Sequence, residues 1–306
     1  MTITAKVIAD SIGPFSPRIT TLQLRYPRFI HAEFMTHRVF SRNASSSRAI
    51  PVEKQIEMIR EDTAMPSHWG KNQSGMQADE ESDAGVIIVP EVEPYGNAVY
   101  GTAQQAWEQA RDRAIVIAER FVEAGYHKQI VNRILEPYSH ISVVVTATDF
   151  DNFFHLRRHK DAQPEIKILA DAMFDAMEAS TPTKLAVHDW HLPYVTDEER
   201  AKYDIGDQIK MSVARSARVS YLTHDGVSPD VIKDMALYDR LVGSVPLHAS
   251  PAEHQAKADT VIYDMSGLKT FERPDLHGNF TGYIQYRKTL ADENVSSWSG
   301  LNDFDE

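Results

Sequence analysis

Between Glu33 and Glu53 every charged residue is positive: Arg38, Arg42 and Arg48, with His37 beside them. Ser41, Asn43, Ser45, Ser46 and Ser47 are interleaved. Guanidinium groups bind phosphate through paired hydrogen bonds, and hydroxyls with loop amides complete such a cradle. The chemistry on offer is capture of a phosphorylated ligand; a solvated Ser/Arg loop is the competing reading. A second basic group follows: Arg133 in Asn132-Arg133-Ile134-Leu135-Glu136-Pro137, then Arg157, Arg158, His159 and Lys160 after Asn152-Phe153-Phe154-His155-Leu156. Phe153, Phe154 and Leu156 read as the buried side of a helix, which sets Arg157 at the core boundary. A charge there is costly unless an anion or a polar partner meets it. A structural ion pair would answer that need as well as a ligand would.

Composition narrows the rest. The chain has 306 residues, 42% hydrophobic and 25% charged, with no cysteine and a net charge of −12. Without cysteine there are no disulfides, thiolate metal sites or thiol nucleophiles, so catalysis must use other groups or a borrowed cofactor. The acidic balance argues against a broad nucleic-acid face, and an anion can bind only where cations cluster. The histidine pairs His155/His159, His188/His191 and His248/His254 sit in no zinc signature, and no metal is expected. The glycine pattern of a dinucleotide-binding βαβ unit, the phosphate loop and the nucleophile elbow are all absent. No secretory signal and no bilayer-length apolar run is found, so the expectation is a cytoplasmic protein without a membrane anchor.

The elements that must carry these residues read as a mix of strands and helices. Thr2 to Ala9 alternates as a strand, and Ile141 to Thr148 is β-branched. Over Thr21 to Phe34 strand and helix compete. Ser41 to Arg48 reads as a loop closed by Pro51, and 52–61 as a short helix. Met65 to Asp83 reads as a long loop, and Val86 to Val89 as a short strand. Long helices are predicted over Gln104–Ala124 (Trp107, Ala110, Ala114, Ile117 and Phe121 on one face), Pro164–Ala179, and Ser228–Val242. The fold class expected is α/β or α+β, with a central antiparallel or mixed sheet. One domain over 1–290, an insertion around 65–100 and a loose tail over 291–306 complete the expectation.

Thr36-His37-Arg38-Val39-Phe40-Ser41-Arg42-Asn43-Ala44-Ser45-Ser46-Ser47-Arg48 resembles the RHRxxSxNExSxR signature of flavin-dependent thymidylate synthases, in unbroken register. The later motifs of that family are similar to Arg133, Pro137, Asn152, Leu156-Arg157 and Ala162-Gln163-Pro164-Glu165-Ile166. Two further segments, Ser216-Ala217-Arg218-Val219-Ser220-Tyr221 and His248-Ala249-Ser250-Pro251-Ala252-Glu253-His254, resemble AARVSY and HxSPFEH. In the family these precede the signature. Here they follow it, so the segment order reads as circularly permuted, as neighbouring termini permit.

The resemblance implies reductive methylation of dUMP to dTMP with FAD, NADPH and 5,10-methylenetetrahydrofolate, in a homotetramer with sites at subunit interfaces. It assigns His37, Arg38, Asn43, Asn152 and Ser250 to FAD. Ser46, Ser47, Arg48, Arg133 and Arg157 go to dUMP, with Arg157 the catalytic residue that favours ionised uracil. Four departures stand out. Thr36 replaces an arginine that touches both ligands, Ala44 a glutamate, Glu33 a frequent glutamine and Ala252 a phenylalanine. Arg42 is the candidate to replace the lost positive charge. These changes suit a divergent, phage-encoded member, acting then in the host cytoplasm. They keep two alternatives open: another modification of dUMP or dCMP, such as hydroxymethylation, and a homologue that binds without catalysis.

Overall fold

The computed structural model describes residues 2–88, 99–219, 230–263, 265 and 267–294. In chain order the first half contains β1 (Thr4–Ile12), β2 (Arg18–Pro27), α1 (His31–Phe34), β3 (Ser41–Ala44), α2 (Val52–Glu61), β4 (Val86–Ile88), β5 (Val99–Gly101), α3 (Ala103–Glu123), α4 (Lys128–Leu135), β6 (His140–Ala147), α5 (Asp151–Arg157) and α6 (Pro164–Glu178). The second half adds β7 (Thr183–Lys184), β8 (Trp190–His191), α7 (Asp197–Lys202), α8 (Ile205–Arg218), α9 (Val231–Val242), β9 (Ala256–Ala258), β10 (Val261–Tyr263), β11 (Lys269–Phe271) and β12 (Tyr283–Gln285).

A five-stranded sheet, ordered β3-β6-β2-β1-β7, is the frame. Its pairs are antiparallel except β1–β7, which is parallel, so the expected mixed sheet is present. Period-two alternation gives each face its own character. Leu22 and Leu24 of β2 lie opposite Val145 and Val143 of β6. These four join Ile166, Leu169, Ala170 and Met173 of α6 in the largest core. Each such aliphatic side chain contributes roughly 1.5–3 kcal/mol on burial. The other face carries a polar seam. His191 bonds Ser11 Oγ at 2.9 Å and Thr21 Oγ1 at 2.8 Å, Thr21 meets Thr146 at 2.7 Å, and Thr146 meets His254 at 2.9 Å. Residues of the chain's second half thereby close the face that its first half leaves open.

Several expectations change in detail. Ser41–Ala44 is a strand, not part of a loop: the free edge of β6 pairs with it from Ser41↔Thr146 to Ala44↔Val143, whatever its polar side chains suggest. Thr21 to Phe34 divides at Pro27, with strand before it and helical turns after. The long helix is capped by Thr102 in a capping box with Gln105, and Gly125 (φ +83°) follows it. Its buried face holds Ile115 and Ala118, while Ile117 is 41% exposed. Ile117 and Ile115 lie about 200° apart on a helix, so both cannot face the α2–α4 side. Leu156 is likewise 49% exposed, because the seven-residue α5 turns Phe153 inward and Leu156 away. Residues 65–88 are strapped down: Ser67 binds the Glu165 carboxylate, and Gln77 Nε2 donates to Ala162 O at 2.7 Å. Ser220, Tyr221, Ser228, Val89 and the tail beyond 294 fall outside the described residues.

A buried charge network ties α7, α8 and α9 together. Arg215, fully buried, reaches both oxygens of Glu199 at 2.7 Å and Asp234 at 2.9 Å, and Arg218 also pairs with Asp234. Two cations face two anions, which offsets most of the cost of burying them, although the buried Arg218 Nε has no hydrogen-bond partner among the described residues.

Candidate functional site

Thr36 and His37 sit in the turn between α1 and β3, and Arg157 closes α5. The turn brings all three together. Arg157 Nε donates to His37 Nε2 at 2.9 Å, its Nη2 donates to Thr36 Oγ1 at 3.4 Å, and its Nη1 lies 3.7 Å from Glu33 Oε2. Thr36 Oγ1 in turn donates to the Glu33 carbonyl at 2.7 Å. The His37 ring packs edge-on against Phe153 at 4.8 Å. Burial, with Arg157 and Arg42 nearby, pushes its pKa down to about 4. The imidazole is therefore neutral and accepts at Nε2. Arg157 stays 23% exposed, at the core boundary where the sequence set it.

A second cluster forms beyond the other end of β3. Asn132 on α4 donates to the carbonyls of Ser47 (2.7 Å) and Ile50 (3.0 Å), which docks the Ser47–Ala49 turn on the helix. Arg48 and Arg133 consequently line one open groove of about 520 Å³, walled by Phe121, Ile130 and Ile134. Glu136 is the anion here. It accepts from Ser47 Oγ at 2.8 Å and lies 3.6 Å from Arg133 and 3.8 Å from Arg28. Ser46 accepts from the Arg48 amide at 3.3 Å as the cap of its turn.

The remaining candidates belong to neither cluster. Arg38 and Asn152 are exposed, and the Arg38 side chain has no hydrogen bond among the described residues. Asn43 donates to the Ser216 carbonyl at 3.4 Å. Ser250 opens the Ser250–Glu253 turn, which Gln285 links to Ser41 through bonds of 3.1 Å to Glu253 O and to Ser41 Oγ. Arg42 does not take up a free positive position. Its Nη1 donates to the carbonyls of Met35 and His37 at 2.9 and 3.0 Å. Glu136 and Arg28 were not singled out from the sequence. The i, i+3 spacing of Arg133 and Glu136 was the available signal.

Residues 13–183, more than half of the chain, match the family described as thymidylate synthase complementing protein. The chain belongs to that family. The thymidylate synthase complementing family is the one whose flavin-dependent signature the 36–48 segment resembles, and both clusters lie inside the matched span. No curated protein sequence matches. Among solved structures, the UMP/dUMP methylase PolB from Streptomyces cacaoi bound with 5-Br dUMP is 19% identical, covering 57% of this chain and 90% of that one, with a TM-score of 0.40. The flavin dependent thymidylate synthase ThyX from Helicobacter pylori complexed with FAD and dUMP is 15% identical, covering 52% and 67%, with a TM-score of 0.36.

Proposed function

We propose that the protein is a flavin-dependent enzyme that adds a one-carbon unit to dUMP, with reductive methylation to dTMP as the best-supported reading. The observation that carries this is Arg157, held by His37 and Thr36 with Glu33 alongside, inside the family-matched segment. A guanidinium against uracil lowers the cost of negative charge on the ring and makes its carbon more nucleophilic. Arg157 is thus assigned as the catalytic residue. Ser46, Ser47, Arg48 and Arg133 are assigned to the dUMP phosphate, which would compete with Glu136 for Ser47 and Arg133.

β3 spans four residues, about 10 Å, and the two clusters lie beyond its opposite ends. That separation favours a site built across a subunit interface, with Arg157 from one protomer and the Arg48/Arg133 groove from another, in a homotetramer. For FAD, the exposed donors Arg38, Asn152 and Ser250, with the half-buried Asn43 of β3, suit a phosphate-bearing cofactor. His37 suits it less, since its ring is buried and its Nε2 is taken by Arg157. Bound FAD would supply the reducing electron pair, drawn from NADPH, with 5,10-methylenetetrahydrofolate supplying the carbon. The segments 216–221 and 248–254 follow residue 183, and contacts from Ser216 and Glu253 reach β3 or its partner Gln285. We read this as a permuted segment order.

Thr36 and Ala44 favour a second reading, hydroxymethylation or another modification of dUMP or dCMP. The deciding experiment incubates purified protein with FAD, NADPH, 5,10-methylenetetrahydrofolate and either nucleotide, then weighs the product by mass spectrometry. A methyl gain on dUMP is expected. A hydroxymethyl gain, or reaction only with dCMP, selects the second reading. Arg157→Ala should abolish turnover, and unchanged turnover would remove Arg157 from its role.

A further inference from the structure

We propose that Arg42 is a positioning residue for this reaction, clamping the turn that holds Arg157 instead of meeting a ligand itself. The proposal rests on the site assigned above. One nitrogen, Nη1, bridges the carbonyls of Met35 and His37, on either side of Thr36. The anchor of the clamp is the sheet. Arg42 sits in β3 opposite Val145 of β6, with its backbone fixed by the ladder. Up to Thr36 the turn has bonds of its own, Met35 N to His31 O at 3.0 Å and Thr36 N to Glu33 O at 3.1 Å, but from His37 on its backbone bonds are long, His37 N to Phe34 O at 3.3 Å and Phe40 N to His37 O at 3.4 Å, with Asn279 on the Val39 carbonyl at 2.8 Å.

A continuous path results. The sheet holds Arg42, Arg42 holds the carbonyls flanking Thr36, and the side chains of Thr36 and His37 hold Arg157. A guanidinium donor to two carbonyls makes stronger bonds than a neutral donor would. The nearby carboxylate of Glu253 is engaged by Arg287, so no ion pair draws Arg42 away. Where the family signature has an arginine at position 36, this chain has a short hydroxyl. Arg42 restores order to that turn from below, and it does not restore the missing charge to the ligand side.

The test compares Arg42→Met, which keeps the aliphatic stem and removes every donor, with Arg42→Lys, which keeps charge and donors. Circular dichroism and a thermal melt establish that each folds. With dUMP as substrate, Arg42→Met should lower kcat at least about tenfold while the dUMP KM moves less than about threefold, and Arg42→Lys should recover most of the loss. A folded methionine variant with kcat within about twofold of wild type would overturn the proposal. So would a loss that lysine does not relieve. Amide hydrogen exchange gives a readout that needs no turnover. Exchange at the His37 and Phe40 amides should quicken at least about tenfold in the methionine variant as the turn opens, and stay near wild type in the lysine variant. Unchanged exchange in the methionine variant overturns the clamp. If the wild type makes no product at all, the functional assignment fails, and the exchange result still decides whether the clamp exists.

Discussion

Arg157 and His37 share one hydrogen-bonded axis, Nε to Nε2, across 2.9 Å. Since Arg157 can only donate, His37 must be neutral and carry its proton on Nδ1. The histidine of the signature is therefore placed to orient the arginine. His37→Phe keeps the ring against Phe153 and removes the acceptor. A hydrogen bond to a charged group contributes about 1.5–3 kcal/mol, so kcat should fall roughly ten- to a hundredfold, with the melting temperature little changed. Steady-state kinetics with dUMP check this, and wild-type kcat in the phenylalanine variant would show that Arg157 needs no such support.

The groove between Arg48 and Arg133 should register as affinity. Each is an exposed cation, so Arg48→Ala and Arg133→Ala should each weaken dUMP binding about tenfold, and the wild-type affinity should itself fall as salt is raised. Calorimetric titration at two ionic strengths measures both effects. Deoxyuridine, which lacks the phosphate, should bind wild type and variants alike; a variant that weakens deoxyuridine equally would take the phosphate out of this groove.

The polar seam predicts acid sensitivity. Burial pushes His191 and His254 from the ordinary 6.5 down to about 3. Below pH 6.5 the unfolded chain binds protons that the folded chain refuses. Stability is thus fully present above 6.5 and is lost as pH falls toward 3. Each histidine contributes a slope of about 1.4 kcal/mol per pH unit in that window. Urea denaturation between pH 7 and 4.5 would show it, and His191→Gln should flatten the slope. A flat wild-type profile would mean that these rings are charged or hydrated in solution.

In the charge network, Asp234→Asn leaves Arg215 and Arg218 facing a neutral amide. Breaking a buried pair from one side costs about 3–5 kcal/mol. Chemical denaturation should show a lower midpoint with an unchanged slope, while dUMP affinity of the folded fraction stays intact. A loss below about 1 kcal/mol would mean that water relieves the arginines.

Much of the first cluster was legible before any coordinates, because Thr36 to Arg48 is contiguous and the core-boundary position of Arg157 follows from Phe153. The α6 helix and β6 were legible for the same reason, as each carries its own periodicity. What the chain order hid was pairing. Ser41–Ala44 is a strand only because β6 offers an edge, and no local propensity of Ser-Arg-Asn-Ala reports that. Arg42 looked like a spare charge because its acceptors are backbone carbonyls, which carry no residue-type signal. Glu136 was in view as part of Asn132-Arg133-Ile134-Leu135-Glu136-Pro137, yet its hold on Ser47 depends on α4 docking against a turn 85 residues earlier, from Asn132 to Ser47.

The seam through Ser11, His191, Thr21, Thr146 and His254 also makes the chain hard to divide. A fragment ending at residue 183 would retain the two threonines and lose both imidazoles, baring a sheet face that residues after 183 cover in the intact chain. The matched half and the remainder should therefore unfold together, and a cut between them should yield two insoluble pieces and no miniature enzyme.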